Sequence, residues 1–317
     1  MIVHAGGTSL TVAIIPSAEK AAMLREAIAW VASLGRDLTN TRFGRYLAEV
    51  ERYAQDLATG NPPDNSPLFY AASADGHVLT HVYQQLRGRY DPYVAKRIDR
   101  ACRGSDSAVD EDGANNVGRN FCFELSLACW LVSSGLELNC DDQADIGGPI
   151  AGHYLIVECK RVRSQKKVEM RGREAVQRLS DRLAKPDQPN MIGAVAFDFT
   201  PIANPDGMLL QGPNLDPQKL SKIGRNLVQR FARAHARHWR DWGNPDVVAV
   251  FNRVHITGAD TAAPQDATLH QLTFQGMHRL VNDNSPHTGF LNQLNQLLSE
   301  RGTALLSADQ EARLKLR

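Results

Sequence analysis

The stretch Tyr154-Leu155-Ile156-Val157-Glu158-Cys159-Lys160-Arg161 decides how this chain folds. Four large apolar residues in a row read as a β-strand, here set at 153–161. Side chains alternate along a strand, so Glu158 and Lys160 share one face. Cys159 takes the other, with Leu155 and Val157. A strand this apolar belongs in the middle of a sheet, covered on both faces. A carboxylate and an ammonium at its end are costly unless they pair with each other or bind something.

Thirteen positions upstream, Asp145 stands between Ala144 and Ile146 in a turn that ends at Gly147-Gly148. A hairpin joining 136–146 to 153–161 brings Asp145 beside Glu158. Two carboxylates on adjacent strands, with a lysine one pleat away, suit Mg²⁺, which takes one or two carboxylates and keeps water and substrate phosphate as its other ligands. Asp142 competes with Asp145 for this role. A third carboxylate, Glu124, lies in a helix over 117–134 that is apolar almost all round: Phe121, Phe123, Leu125, Leu127, Ala128, Trp130 and Leu131. Such a helix is buried, and an acid within it needs a partner.

Further out, residues 8–15 read as a strand, and 17–35, 41–59 and 66–101 as helices, interrupted at Gly60-Asn61-Pro62-Pro63-Asp64. The polar, acidic stretch 104–113 reads as a boundary loop. Past Glu124, Gly135 reads as a helix C-cap, and 136–139 as a short strand. After the 153–161 strand come a helix over 169–184, a strand over 191–199 and a helix opened by Asp216-Pro217 and running to Trp239. Strands over 246–256 and 268–274 follow, then helices over 287–300 and 308–316. Alternating helices and strands from 117 to 256 predict an α/β core. The expected architecture is a mixed central sheet flanked by helices over 113–317, with a C-terminal helical extension. A mainly helical region over 1–112 precedes it, serving recognition, dimerisation or regulation.

The acid-bearing helix, the Asp-bearing hairpin, Glu158-x-Lys160 on the next strand and the helix after it resemble the PD-(D/E)XK nuclease superfamily, whose core is the restriction-endonuclease-like fold. The resemblance spans about residues 115–256. It rests on Glu124, Asp145, Glu158 and Lys160 in that order, with Gln177 at the place of a glutamine that some members carry on the following helix. Ala144 stands where the name-giving proline would be. The resemblance implies a metal-dependent nuclease with a place in restriction, defence or repair. Asp145, Glu158 and Glu124 are then metal ligands for Mg²⁺, with Mn²⁺ as a substitute and the Cys159 carbonyl as a further ligand. Lys160 assists the attacking water.

Among the 317 residues, 36 Lys and Arg nearly balance 35 Asp and Glu, a formal charge of +1. That total conceals segregation. Residues 105–145 hold nine acids and one base, while 160–185 hold ten bases and three acids, and 219–240 hold seven bases and no acid. Basic helices suit phosphate-backbone contact. The candidate contacts are Arg161, Arg163, Lys166, Lys167, Arg171, Arg173, Arg225, Arg230, Arg233 and Arg237, with DNA favoured over RNA.

Simpler readings stand beside these: a surface ion pair for Glu158–Lys160, a turn residue for Asp145, a salt-bridge partner for Glu124, solvated helix faces for Gln177 and the basic runs. A nuclease-like fold that binds nucleic acid or a protein without catalysis is the alternative function. Five cysteines without a Cys-x-x-Cys pair read as reduced thiols of a cytoplasmic protein. No secretory pattern and no run of 18 apolar residues occurs, so no membrane partner is expected. A homodimer is a compatible assembly. His77 and His81 have metal-compatible spacing but lack an evident third ligand. Phosphate-loop and dinucleotide-binding patterns are missing.

Overall fold

The computed structural model describes residues 9–13, 17–59, 67–107, 110, 117–185, 187–205, 210–212, 217–260 and 269–301. In chain order the elements are β1 (Ser9–Ala13), α1 (Ser17–Ser33), α2 (Arg42–Ala58), α3 (Pro67–Leu86), α4 (Asp91–Ala101), α5 (Val117–Ser133), β2 (Ile146–Ile150) and β3 (His153–Arg161). Then come α6 (Gln165–Leu183), β4 (Met191–Asp198), α7 (Thr200–Ala203), β5 (Leu210–Gly212), α8 (Pro217–Arg240), β6 (Val247–Asp260), β7 (Leu269–Arg279) and α9 (Thr288–Arg301). The protein is mixed α/β.

Among the described residues, one seven-stranded sheet orders its strands β1-β7-β6-β4-β3-β2, with β5 pairing to β6 off this path. The β3, β4 and β6 strands run parallel; β2 is antiparallel to β3, and β7 to β6. Every residue of β4 is buried, as expected for a strand covered on both faces. The alternation along β3 sorts its side chains between two cores. Leu155, Val157 and Cys159 join the cluster made with α1 to α5 and α9. Tyr154 and Ile156 join the cluster made with α6 and α8.

Helix α5 ends as its sequence predicts. Gly135 lies at φ +103, its N–H reaches the Val132 carbonyl at 2.9 Å, and the Leu136 N–H reaches Leu131 at 2.9 Å. This is the paired hydrogen bonding of a left-handed helix stop, where glycine carries no Cβ penalty.

The partner of β3 differs from expectation. It is 146–150, read as turn in the sequence, while 136–139 lies alongside β2 through Glu137 N–H to Pro149 O at 3.0 Å and Asn139 N–H to Gly147 O at 2.8 Å. The reason is tertiary packing. A Cβ on Gly147 would overlap the Asp142 carboxylate, and one on Gly148 the Glu137 carbonyl, so only glycines let these segments close up. The β2–β3 hairpin turns through Ala151 and Gly152 at φ +51 and +76, the double positive φ of a two-residue type I′ turn.

Other differences are smaller. Helix α6 begins at Gln165, four residues early, and β6 and β7 run past their expected ends. The short α7 and β5 were not anticipated. Asp216, the 308–316 helix, the 60–64 break and much of the 104–113 loop lie outside the described residues. In the N-terminal part, β1 pairs antiparallel with β7. The helices α1 to α4 share one continuous apolar cluster with α5 and the sheet, so the expected boundary near 112 does not separate two cores.

Candidate active site

The hairpin positions the two central carboxylates. Ile146 pairs with Val157 in register, which sets Asp145 and Glu158 opposite one another at the next step. Asp145 Oδ2 accepts the Cys159 backbone N–H at 2.7 Å. The Asp145 carbonyl is held from outside the hairpin, by Tyr93 Oη–H at 2.9 Å and Arg97 Nη2 at 2.8 Å, both on α4.

Asp142, the rival, is consumed by structure. Its Oδ1 accepts the Ala144 N–H at 2.8 Å and Arg182 Nη1 at 2.7 Å, and its Oδ2 accepts Tyr154 Oη–H at 2.7 Å. Only 2% of its side chain is exposed. It braces the turn that delivers Asp145.

Glu158 and Lys160 are both largely buried, with Lys160 Nζ 3.2 Å from Glu158 Oε2; their side chains are 10% and 13% exposed. Arg178 Nη1 approaches the same oxygen at 3.5 Å. Burial raises the Glu158 carboxyl above its usual range, Asp145 raises it further, and Lys160 and Arg178 oppose this. Glu124 projects from α5 with Arg97 Nε at 3.7 Å. Burial, then Asp145, pushes it up to about 8 against the pull of Arg97. A surface-pair reading of Glu158–Lys160 does not survive this burial.

Three carboxyls therefore sense one another in a poorly solvated space. Raised proton affinity at Glu124 and Glu158 marks first the cost of burying their charge and then repulsion by Asp145. A hard divalent cation has the same effect as the proton, and all the donors are oxygen. Among the described residues, no three His, Cys, Asp or Glu side chains converge as a ready-made metal cage. Asp145 and Glu158 are the side chains that could hold such a cation, with Glu124 beyond.

Gln177 is not brought to this site. It is solvent-facing and bonds to Asp181 at 2.8 Å. The buried stripe of α6 is Val168, Gly172, Ala175, Val176 and Leu179, and 100° per residue sets Gln177 nearly opposite it. The flank carries Arg178 and Arg182 instead, one turn apart. Arg178 reaches Glu158, and Arg182 reaches Asp142. The sequence carried this signal in the phase of the apolar stripe.

Lys166, Lys167, Arg171 and Arg173 on α6, with Arg163 just before it, are exposed, as are Arg225, Arg230, Arg233 and Arg237 on α8. The two helices pack side by side, joined by His235 Nε2 to Gln165 Oε1 at 2.6 Å and His238 to Glu169 at 3.5 Å. They cover the sheet face to which Glu158 and Lys160 belong. Some of this charge is answered locally, by Arg171–Glu174 at 2.8 Å and Arg173–Glu169 at 3.0 Å. Arg161 departs from expectation. As an odd-numbered residue of β3 it turns to the opposite face, 6% exposed, with Nε 3.5 Å from Asp198.

All five cysteines are free, with Cys122, Cys129 and Cys159 buried. Burial raises the Cys159 thiol well above its usual range, which makes it inert. His77 and His81 stack at 6.3 Å between ring centroids, and among the described residues no further ligand gathers around them. No described helix is long and apolar enough to cross a membrane. No family model, curated protein or solved structure matches the chain.

Proposed function

We propose that this protein is a divalent-metal-dependent nuclease that hydrolyses phosphodiester bonds, in DNA before RNA. The observation that carries the reading is the pairing of Asp145 with Glu158 across a hairpin, with Lys160 Nζ 3.2 Å from the Glu158 carboxylate in a buried site. The order α5, β2–β3 hairpin, α6 and parallel β4 supports likeness to the restriction-endonuclease-like core. The free cysteines suit a cytoplasmic setting.

In this reading Asp145 and Glu158 would hold Mg²⁺ or Mn²⁺, with Glu124 beyond them. When bound, the cation supplies Lewis-acid polarisation of the phosphate and a more acidic water. Lys160 would orient the attacking water and offset charge building on the phosphate oxygens. Arg178 adds a second cation on the same side. Arg97 restrains Glu124 and the Asp145 carbonyl together, which fixes the spacing of the carboxylates. The exposed arginines and lysines of α6 and α8 hold the phosphate backbone over the face that presents Glu158.

The test is cleavage of DNA and RNA substrates by the purified chain with Mg²⁺ or Mn²⁺, beside Glu158→Gln and Lys160→Met. Metal-dependent cleavage lost in both variants supports the reading; cleavage unchanged in both overturns it. A binding module without catalysis is favoured by one observation. Glu158 is already paired with Lys160 and Arg178, and Asp145 Oδ2 with a backbone N–H. That reading requires DNA binding that survives Asp145→Ala and no cleavage with any divalent metal.

A further inference from the structure

Two cations converge on one oxygen of Glu158. Lys160 Nζ lies 3.2 Å from Oε2, and Arg178 Nη1 lies 3.5 Å from the same atom. They are not equivalent. Lys160 rises from β3 beside Glu158, with a side chain 13% exposed. Arg178 reaches in from α6 with a side chain 67% exposed. Its contact is longer than a good hydrogen bond, and an ion pair with one partner so open to water contributes little. Arg182, one turn further on, shows the contrast. Its Nη1 is fixed to Asp142 at 2.7 Å, and its side chain is 22% exposed. The flank of α6 thus carries one arginine held firmly and one held loosely, and the loose one sits at the carboxylate.

Arg178 also ends a row. At 100° per residue, Lys167, Arg171 and Arg178 fall within about 40° of one another around α6, and all three are exposed. From Lys167 to Arg178 the row is about 16 Å long. A polyanion lying along it meets Arg178 beside the buried carboxylates.

With a divalent cation on Glu158, Oε2 has less charge to offer Arg178, and the guanidinium is repelled. Lys160 stands on a buried strand, whereas Arg178 has a long stem and solvent to move into. A phosphate carried by that cation lies within reach of a side chain that already reaches Glu158. Planar guanidinium forks match phosphate oxygens in pairs. We propose that Arg178 is an exchangeable clamp, paired with Glu158 until a divalent cation binds there and then transferred to a phosphate of the nucleic-acid strand. The inference rests on the reading of Asp145 and Glu158 as metal ligands. It adds a coupling: cation and nucleic acid favour each other through one arginine, and the coupling is reciprocal.

The test is binding of a short DNA duplex to the full chain, followed by fluorescence anisotropy in EDTA and in Ca²⁺, a divalent cation that also takes oxygen ligands. Arg178→Gln and Arg178→Lys are measured in parallel, and calorimetry gives the Ca²⁺ affinity of each chain without DNA. Arg178→Gln is expected to weaken duplex binding roughly tenfold in Ca²⁺ and less than about threefold in EDTA. The slope of log affinity against log salt is expected to fall by about one in Ca²⁺, and Arg178→Lys to keep the parent's slope. Ca²⁺ affinity is expected to hold or rise in Arg178→Gln, because a competing cation is gone. A merely structural Arg178 would instead lower Ca²⁺ affinity, or weaken duplex binding equally in both buffers, and either result overturns the proposal. So does duplex affinity in Ca²⁺ unchanged by Arg178→Gln. A parent chain that binds neither Ca²⁺ nor Mn²⁺ overturns the metal-site reading as well, which tells the two failures apart.

Discussion

Asp145 and Cys159 are joined by a 2.7 Å hydrogen bond from the Cys159 backbone N–H to the Asp145 carboxylate, so one oxygen of the proposed metal ligand also stitches the hairpin. Scaffold and charge are therefore separable at this position. Asp145→Asn keeps an acceptor oxygen and loses the charge. The variant is expected to melt within about 2 °C of the parent, since a surviving neutral hydrogen bond differs little in net worth. Metal-dependent cleavage is expected to fall at least about 100-fold. Scanning calorimetry and initial rates on one preparation check both halves.

Asp142→Ala tests the brace under the turn. It removes the acceptor of the Tyr154 hydroxyl proton and of the Ala144 N–H, and leaves Arg182 only Asp187 at 3.8 Å. Breaking a buried pair by removing one partner costs about 3–5 kcal/mol. Urea unfolding is expected to show a loss of that order; a loss under about 1 kcal/mol would mean that the brace is a surface contact in solution.

Ala151 occupies a left-handed conformation at φ +51, which costs a side chain with a Cβ about 1 kcal/mol. Asn-Gly is the preferred pair for this turn. Ala151→Asn is expected to raise the midpoint of thermal unfolding by roughly 2–4 °C and to leave every site residue in place. Differential scanning fluorimetry reads the shift, and an unchanged or lowered midpoint contradicts the turn assignment.

His81 is buried on α3, and burial with a smaller push from Arg253 lowers it from 6.5 to about 4. The unfolded chain thus binds a proton that the folded chain refuses between those values. Stability from this group is complete above about pH 6.5 and is lost as pH falls toward 4, at up to about 1.4 kcal/mol per pH unit. His81→Leu is expected to flatten that part of the stability curve, measured by urea unfolding at half-unit steps. A slope equal to the parent's assigns the acid lability to other groups.

How much of this was legible depended on whether a signal was local. The bounds of β3 could be read from its own residues, because an apolar run ending in charge has few other solutions. Gly135 marked the end of α5 for the same reason. Ile146-Gly147-Gly148-Pro149-Ile150 could not be read as a strand, since Gly and Pro argue against one. It is a strand because the Asp142 carboxylate and the Glu137 carbonyl fill the space where side chains would stand. Pro149 is tolerated there because β2 ends the regular sheet. Gln177 has the place of the glutamine that the resemblance implies, while the phase of the α6 stripe selects Arg178.

The contacts that α4 makes to the Asp145 carbonyl, through Tyr93 and Arg97, set the smallest piece of this protein that can be handled as an independent object. A fragment starting at residue 113 would keep Asp145, Glu158 and Lys160. It would also strip α1 to α4 from the apolar cluster to which α5 and Val157 belong and leave the Asp145 turn without two of its anchors. Chimeras and domain dissections should be cut elsewhere, because α4 forms one wall of the room in which the carboxylates sit.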